Sequence, residues 1–314
     1  MGDRDRFHGV LLVDKPTGMS SHDVVGKVRR IVGQQTVGHT GTLDPLATGL
    51  LVMCLGKATK ISQYLMIEEK EYLAQLRLGV RSTTYDAEGV IGDPASATVP
   101  IITLDDISRI LPDFTGSIRQ RVPAYSSVQI DGKRLYKIAR KGKEIALPER
   151  EVVISSLCVV QYDPPFLALA VTCSKGTYVR SLAHDIGERL GCGAYLSGLR
   201  RTRMGSFRIE QALTLEQLAS RAGGGALPDL ISPIDSALPW GAIQIAEQFS
   251  ESVGFGRLPH WTDIAGYRGD FRAGDRVIVK DSHDVLAMGV AGADSCQFAL
   301  HVGTPLTEYL RVLA

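Results

Sequence analysis

One carboxylate stands out by its setting. Asp44 lies in the stretch Gly38-His39-Thr40-Gly41-Thr42-Leu43-Asp44-Pro45-Leu46-Ala47-Thr48-Gly49, fenced by three glycines and a proline and followed by an apolar run over 50–55. Pro45 disfavours the helical region for Asp44 and pushes its backbone toward an extended form. Gly38, Gly41 and Gly49 permit unusual backbone angles and the close approach of another molecule. Such a segment could hold a single acid rigidly at the lip of a cleft. The same residues also suit an ordinary solvent-facing turn, so the loop alone leaves both readings open.

Other polar residues fall at the ends of predicted elements. Ser174-Lys175-Gly176-Thr177-Tyr178-Val179-Arg180 joins a strand to a helix and delivers Arg180 to the first helical turn. A cation there gains nothing from the helix dipole, which points to a partner carboxylate; a plain surface arginine is the alternative. Tyr72 opens an alternating strand on its apolar face, where a core tyrosine with a bonded hydroxyl would also sit. Leu199-Arg200-Arg201-Thr202-Arg203, with Arg208 beyond, has a charge density that suits phosphate contacts or a solvated strand. Lys133, Arg134, Lys137, Arg140, Lys141 and Lys143 form a predicted basic helical ridge beside Tyr125 and Tyr136. Base-rich surface interleaved with aromatics is what unstacked RNA requires.

Several familiar sites fail inspection. Gly49…Gly56-Lys57 has six residues between the glycines where a phosphate loop has four, and Ala58 replaces its Ser or Thr. There is no GxSxG nucleophile elbow and no dinucleotide GxGxxG in strand–turn–helix context. His22, His39 and His184 lack ligand spacing, so no metal site is expected. The chemistry is expected to run on side chains alone, without a cofactor.

The elements that must position these residues are legible in outline. Residues 10–14 read as a first strand, and Ser20 with Asp23 forms a capping box before a helix that Gly33 stops. A strand at 50–55, a helix at 57–66 and an alternating strand at 71–78 follow. A short helix is expected at 104–111, strands at 152–160 and 166–173, and a helix over 177–190 with Val179, Leu182, Ala183, Ile186 and Leu190 on one stripe. A helix at 215–221 ends in a glycine run. Beyond about Pro239 the chain reads as a small β-rich unit, with strands at 275–280 and 285–290. Mixed α+β layers are expected.

Composition sets the outer bounds. Across 314 residues, 44% hydrophobic and 22% charged content supply an ordinary globular core, and the net charge is only +1. Its distribution is uneven: six acids stand against one base in 82–113, and nine bases against four acids in 119–151. That asymmetry suits a polyanion approaching one side. Five cysteines without zinc spacing read as reduced thiols, and no apolar run approaches a membrane span. The protein is expected to be soluble and cytoplasmic.

These motifs resemble the TruB family of tRNA pseudouridine synthases. Lys15-Pro16-Thr17-Gly18-Met19-Ser20-Ser21 is similar to the family's KPxGxSS segment, and the Asp44 loop to its catalytic-aspartate motif. Lys70-Glu71-Tyr72, residues 174–180 and residues 191–201 match further family motifs in family order. The resemblance implies isomerisation of uridine 55 in the T loop of tRNA after the base leaves its stack, with no cofactor, metal or guide RNA. It implies Asp44 as the carboxylate that starts detachment of the base, and Arg180 as its ion-pair partner, lowering its pKa. Tyr72 would stack on the flipped base, Leu199 would wall the pocket, and His39 would fill the gap left in the RNA. Lys15, Tyr178, Lys133, Arg134, Lys137, Arg140, Arg200 and Arg201 are the remaining expected RNA contacts, with 124–151 a basic loop closing over the T-stem-loop.

The implied fold is α/β of the α+β type: a largely antiparallel mixed central sheet flanked by helices over 1–238, and a PUA-like RNA-binding domain over 239–314. A monomer without membrane or obligatory protein partner is expected. Rival readings are an RNA-binding protein without chemistry, a guide-dependent synthase, and a glycosidase. The first has no use for an ion-paired acid, and the second none for the long basic insertion. A glycosidase needs a second carboxylate.

Overall fold

The computed structural model describes residues 5–92, 100–126, 128–130, 132–135, 138, 147–300 and 304–313. Gly9–Lys15 (β1) leads into Ser21–Val32 (α1). The expected capping box is present: the Ser20 hydroxyl accepts from the Asp23 amide and the Asp23 carboxylate accepts from the Ser20 amide. Gly33 closes the helix in the left-handed conformation, φ 68°. Val37–His39 (β2) and Thr48–Leu55 (β3) flank the Asp44 loop, and Lys70–Leu78 (β4) follows.

Between β3 and β4 the expected helix is a tighter structure. Gly56–Ile61 is 3-10, and only Ser62–Leu65 (α2) is α-helical. The Thr59 hydroxyl donates to the Gly56 carbonyl and the Ser62 hydroxyl to the Thr59 carbonyl, both at 2.8 Å. Such local bonds compete with the α-helical ladder.

Leu104–Ile110 (α3) precedes Gly116–Arg121 (β5), and Gln129–Ile130 (β6) pairs with Lys133–Arg134 (β7). The predicted basic ridge therefore opens as a short hairpin, and Lys137, Arg140, Lys141 and Lys143 lie outside the described residues. Glu149–Asp163 (β8), Phe166–Cys173 (β9), Val179–Arg189 (α4), Ala194–Met204 (β10) and Phe207–Arg208 (β11) complete the first sheet. Its order is β1-β3-β10-β4-β9-β8-β5, with β2 on β3 and β11 on β10. Every pairing is antiparallel except β3 with β10. The expectation of a largely antiparallel mixed sheet with helices is met.

Leu215–Gly223 (α5) packs beside α1. The second sheet comprises Gly241–Ile245 (β12), Ile264–Arg268 (β13), Arg276–Lys280 (β14), Val285–Ala291 (β15) and Leu306–Val312 (β16), in the order β13-β12-β14-β15-β16.

Burial explains the hydrophobic patterns. Leu51, Met53 and Leu55 of β3 pack with Val24, Val25 and Val28 of α1 on one face. Leu50, Val52 and Cys54 pack on the other face in a core that includes Ile278 and Met288 of the second sheet. A strand covered on both sides reads as a continuous apolar run. By contrast, β4 alternates: Ala74, Leu76 and Leu78 are buried against α4, while Leu73 is exposed.

Candidate active site

The ends of β3, β4, β9 and β10 meet at one place. Arg201 of β10 lies directly across from Gly49 on β3 and from Tyr72 on β4, and Lys70 lies across from Cys173 at the end of β9. The register thus brings the Asp44 loop, Tyr72 and residues 174–180 around one cavity of about 860 Å³. Asp44, Tyr72, Tyr178, Arg180 and Leu199 all line it. That volume suits a nucleotide-sized ligand.

The Asp44 loop is pinned from three sides. Ser21 donates to the Leu43 carbonyl at 3.1 Å and accepts from the Leu43 amide at 2.8 Å. The Gly18 amide and the Lys15 ammonium both donate to the Pro45 carbonyl, at 2.9 and 3.3 Å. Arg201 donates to the Leu50 carbonyl at 2.7 Å and to the Gly41 carbonyl at 3.2 Å. Two of the three glycines have a steric task. Gly41 adopts φ +140°, and at Gly49, φ +96°, a Cβ would stand 2.3 Å from the Arg201 carbonyl oxygen. Gly38 has no positive φ and no close neighbour that demands glycine.

Arg180 is buried and serves two acids. Its Nη2 lies 3.2 Å from Asp44 Oδ2, and its Nη1 lies 3.2 Å from Asp86 Oδ2. Nη2 also donates to the Tyr125 carbonyl at 3.1 Å. Asp86 is 1% exposed and accepts from the Thr84 hydroxyl and the Glu88 amide as well. The dipole argument for a carboxylate beside Arg180 holds, but there are two of them. Asp86 sits in an acidic stretch that reads as solvated surface, and no local pattern separates the buried acid from its neighbours.

The second acid changes the electrostatics. Asp44 is raised above the usual aspartate value: burial contributes most, Arg180 opposes it and Asp86 adds to it. The lowering expected from Arg180 is present, but burial and the second acid together outweigh it. Burial also pushes the Tyr72 phenol up, with Arg201 opposing. Tyr72 is a neutral phenol at physiological pH. His39 is pushed down by burial and by Arg201, and its Nδ1 accepts from the Gly41 amide at 3.2 Å. A neutral, oriented imidazole results, half-buried beside the Asp44 loop.

Three expected RNA contacts have other work. Lys15 is fully buried and donates to the carbonyls of Pro16 and Pro45. Burial lowers its pKa, with Asp44 the leading opposing influence. Arg201, 1% exposed, braces the Asp44 loop from below. Arg200 is held bidentately by Asp14 at 3.1 and 2.8 Å. Lys133 and Arg134 lie in the β6–β7 hairpin. Spacing alone missed Arg150, which stacks over the Tyr178 ring at 5.3 Å from its centroid and lines the cavity with exposed Lys175. No group of three or more His, Cys, Asp or Glu among the described residues is arranged to hold a metal. No helix among them is long and apolar enough to cross a membrane.

Comparison with known proteins gives this geometry its class. Residues 29–179 match the family profile described as TruB family pseudouridylate synthase (N terminal domain). Residues 180–239 match the one described as tRNA pseudouridylate synthase B C-terminal domain. The protein is an RNA pseudouridine synthase, an isomerase. Among its relatives is a tRNA pseudouridine synthase B of Syntrophus aciditrophicus, 41% identical over 308 residues, 97% of this chain and 98% of the relative. Another, from Pseudomonas aeruginosa, is 45% identical over 248 residues, 78% of this chain and 81% of the relative. The fold matches a crystal structure of a Cbf5-Nop10-Gar1 complex with a TM-score of 0.72 at 28% identity, covering 98% of this chain and 85% of that one. The chain belongs to the TruB family of pseudouridine synthases.

Proposed function

We propose that this enzyme converts uridine 55 in the T loop of tRNA to pseudouridine, with Asp44 as the carboxylate that starts detachment of the base. The observation that carries this reading is the Asp44–Arg180 pair set beside Tyr72 in one nucleotide-sized cavity. A uridine stacked in RNA covers the bond between ribose C1′ and base N1, so the base must first leave its stack. Ionised Asp44 then acts on the ribose, by attack at C1′ or by removing the 2′ hydrogen; both routes need the same charge at the same spot. Freed uracil leaves as the N1 anion, turns within the cavity and bonds ribose C1′ through C5, which releases Asp44 from C1′ or is followed by return of the 2′ hydrogen. The C5 proton passes to N1, so the product is an isomer of the substrate. Tyr72 stacks on the base and Leu199 walls the pocket. Neutral His39 stacks in the space left in the RNA.

Arg150, Lys175 and the basic 124–151 segment meet the RNA backbone, and Tyr178 supports Arg150 through its ring. We read 239–314 as a PUA-type RNA-binding unit; its five-stranded sheet supports this. Relatives named tRNA pseudouridine synthase B, at 40–47% identity, support tRNA as the substrate, and our reading is of a stand-alone cytoplasmic enzyme that acts as a monomer. The test is purified protein with an unmodified T-stem-loop transcript and no other RNA, followed by pseudouridine mapping. Product should form at one uridine. Asp44→Asn should give none while binding the transcript within about threefold of wild type; turnover in that variant would sink the mechanism.

A further inference from the structure

The turn that carries Asp86 is fastened to α4 by three rungs, one helical turn apart. Arg180 meets Asp86, His184 meets Tyr85, and Glu188 meets Arg81. Residues at i, i+4 and i+8 share a helix face, so one stripe of α4 holds this turn. The outer rung is an exposed ion pair and contributes little. The middle rung is a ring stack: the Tyr85 and His184 centroids are 3.9 Å apart with planes 14° from parallel.

Tyr85 is also the single non-glycine residue with positive φ, 67°, among the described residues. An aromatic side chain in that region is strained and persists only where its surroundings hold it. The Leu196 amide donates to the Tyr85 carbonyl at 2.9 Å, and the Ala87 amide donates to the Leu196 carbonyl at 3.1 Å. The residues on both sides of Asp86 are thus tied to β10, and the strained residue directly before it is clamped to α4. His184 Nδ1 is buried with no hydrogen-bond partner among the described residues, so ring contact rather than hydrogen bonding at that atom orients the imidazole.

We propose that Tyr85 is a positioning residue for catalysis: its ring, stacked on His184, sets where Asp86 meets Arg180 and hence how the guanidinium faces Asp44. This rests on the reading of Asp44 as the reacting carboxylate. Removing the ring lets the turn relax, Asp86 shifts along α4, and Arg180 loses its second anchor. The chemical step should suffer while RNA contacts in the main cavity remain.

The experiment compares single-turnover conversion, transcript affinity and melting temperature for wild type, Tyr85→Phe, Tyr85→Asn, His184→Ala and the Tyr85→Asn/His184→Ala double variant. Asn tolerates the left-handed backbone, so Tyr85→Asn isolates loss of the ring from backbone strain. Tyr85→Phe should stay within about twofold of wild type, and Tyr85→Asn and His184→Ala should each slow conversion about tenfold with affinity almost unchanged. The double variant should be no slower than either single one, as for residues acting through one contact.

A Tyr85→Asn enzyme at the wild-type rate overturns the proposal, as does a Tyr85→Phe enzyme as slow as Tyr85→Asn. Loss of affinity in step with rate also overturns it, by making Tyr85 an RNA contact. Asp44→Asn is run alongside. If it retains turnover, the underlying reading falls and takes the proposal with it. If it is inactive while Tyr85→Asn is fully active, the proposal alone falls.

Discussion

At the residue scale, one buried guanidinium is divided between two carboxylates, Asp44 and Asp86. Because burial and Asp86 outweigh Arg180 at Asp44, the carboxylate takes up its proton at higher pH than an ordinary aspartate, whose value is 3.8. On the proposed mechanism the ionised form reacts, so the single-turnover rate should fall as pH drops through a midpoint above 3.8. Asp86→Asn removes one upward influence and should move that acid limb to lower pH. It should also lower the plateau about tenfold or more, since Arg180 loses an anchor. A pH–rate profile of both enzymes checks this.

Arg201 offers a second test at the same scale. Lysine has no planar fork to span the Leu50 and Gly41 carbonyls. Arg201→Lys should cost about 1–3 kcal/mol in urea unfolding. Its salt dependence of RNA binding should be unchanged, whereas loss of a phosphate contact would reduce the slope by about 1. The arginine cluster at 199–203 looked like a phosphate surface because charge density is visible in a sequence and burial of an individual side chain is not.

At the scale of elements, α4 is the part on which most depends. Its stripe of Val179, Leu182, Ala183 and Ile186 was legible from helical spacing, and the structure packs it with β4 and β9. Its polar stripe was not legible, since the partners of Arg180, His184 and Glu188 come from a turn 94 to 107 residues earlier. The same helix carries Asp185, which burial pushes up to about 6. A folded pKa above the unfolded value means that ionised Asp185 destabilises the fold. That cost is absent below the ordinary value of 3.8 and complete above about 6. Asp185→Asn should therefore melt higher than wild type at neutral pH, and the difference should shrink as pH falls from about 6 toward 3.8. Melting curves across that range check the sign. The helix expected at 57–66 shows the opposite limit: two hydroxyls bonding to nearby carbonyls tightened its first half to 3-10.

Across the whole molecule, the two sheets are not independent. Leu50, Val52 and Cys54, which follow the Asp44 loop, share a core with Ile278, Val285, Met288 and Leu313. Met288→Ala, far from the cavity in sequence, should lower the unfolding free energy of the entire chain by about 2–5 kcal/mol. Calorimetry should show one transition moving as a unit; two separated transitions would contradict a shared core. By itself the sequence determined the elements whose patterns are local, namely capped helices, alternating strands and the glycine-framed acid, and its motifs were enough to point to the family. Only the tertiary structure decided which charged residues face a substrate and which brace the loop behind it. Asp44, Asp86 and Arg180 come from three separate segments, and Lys15 and Arg201 are buried by strands distant in the chain. Burial and pairing arise from such contacts, and they set both the proton affinity of Asp44 and the direction in which it faces.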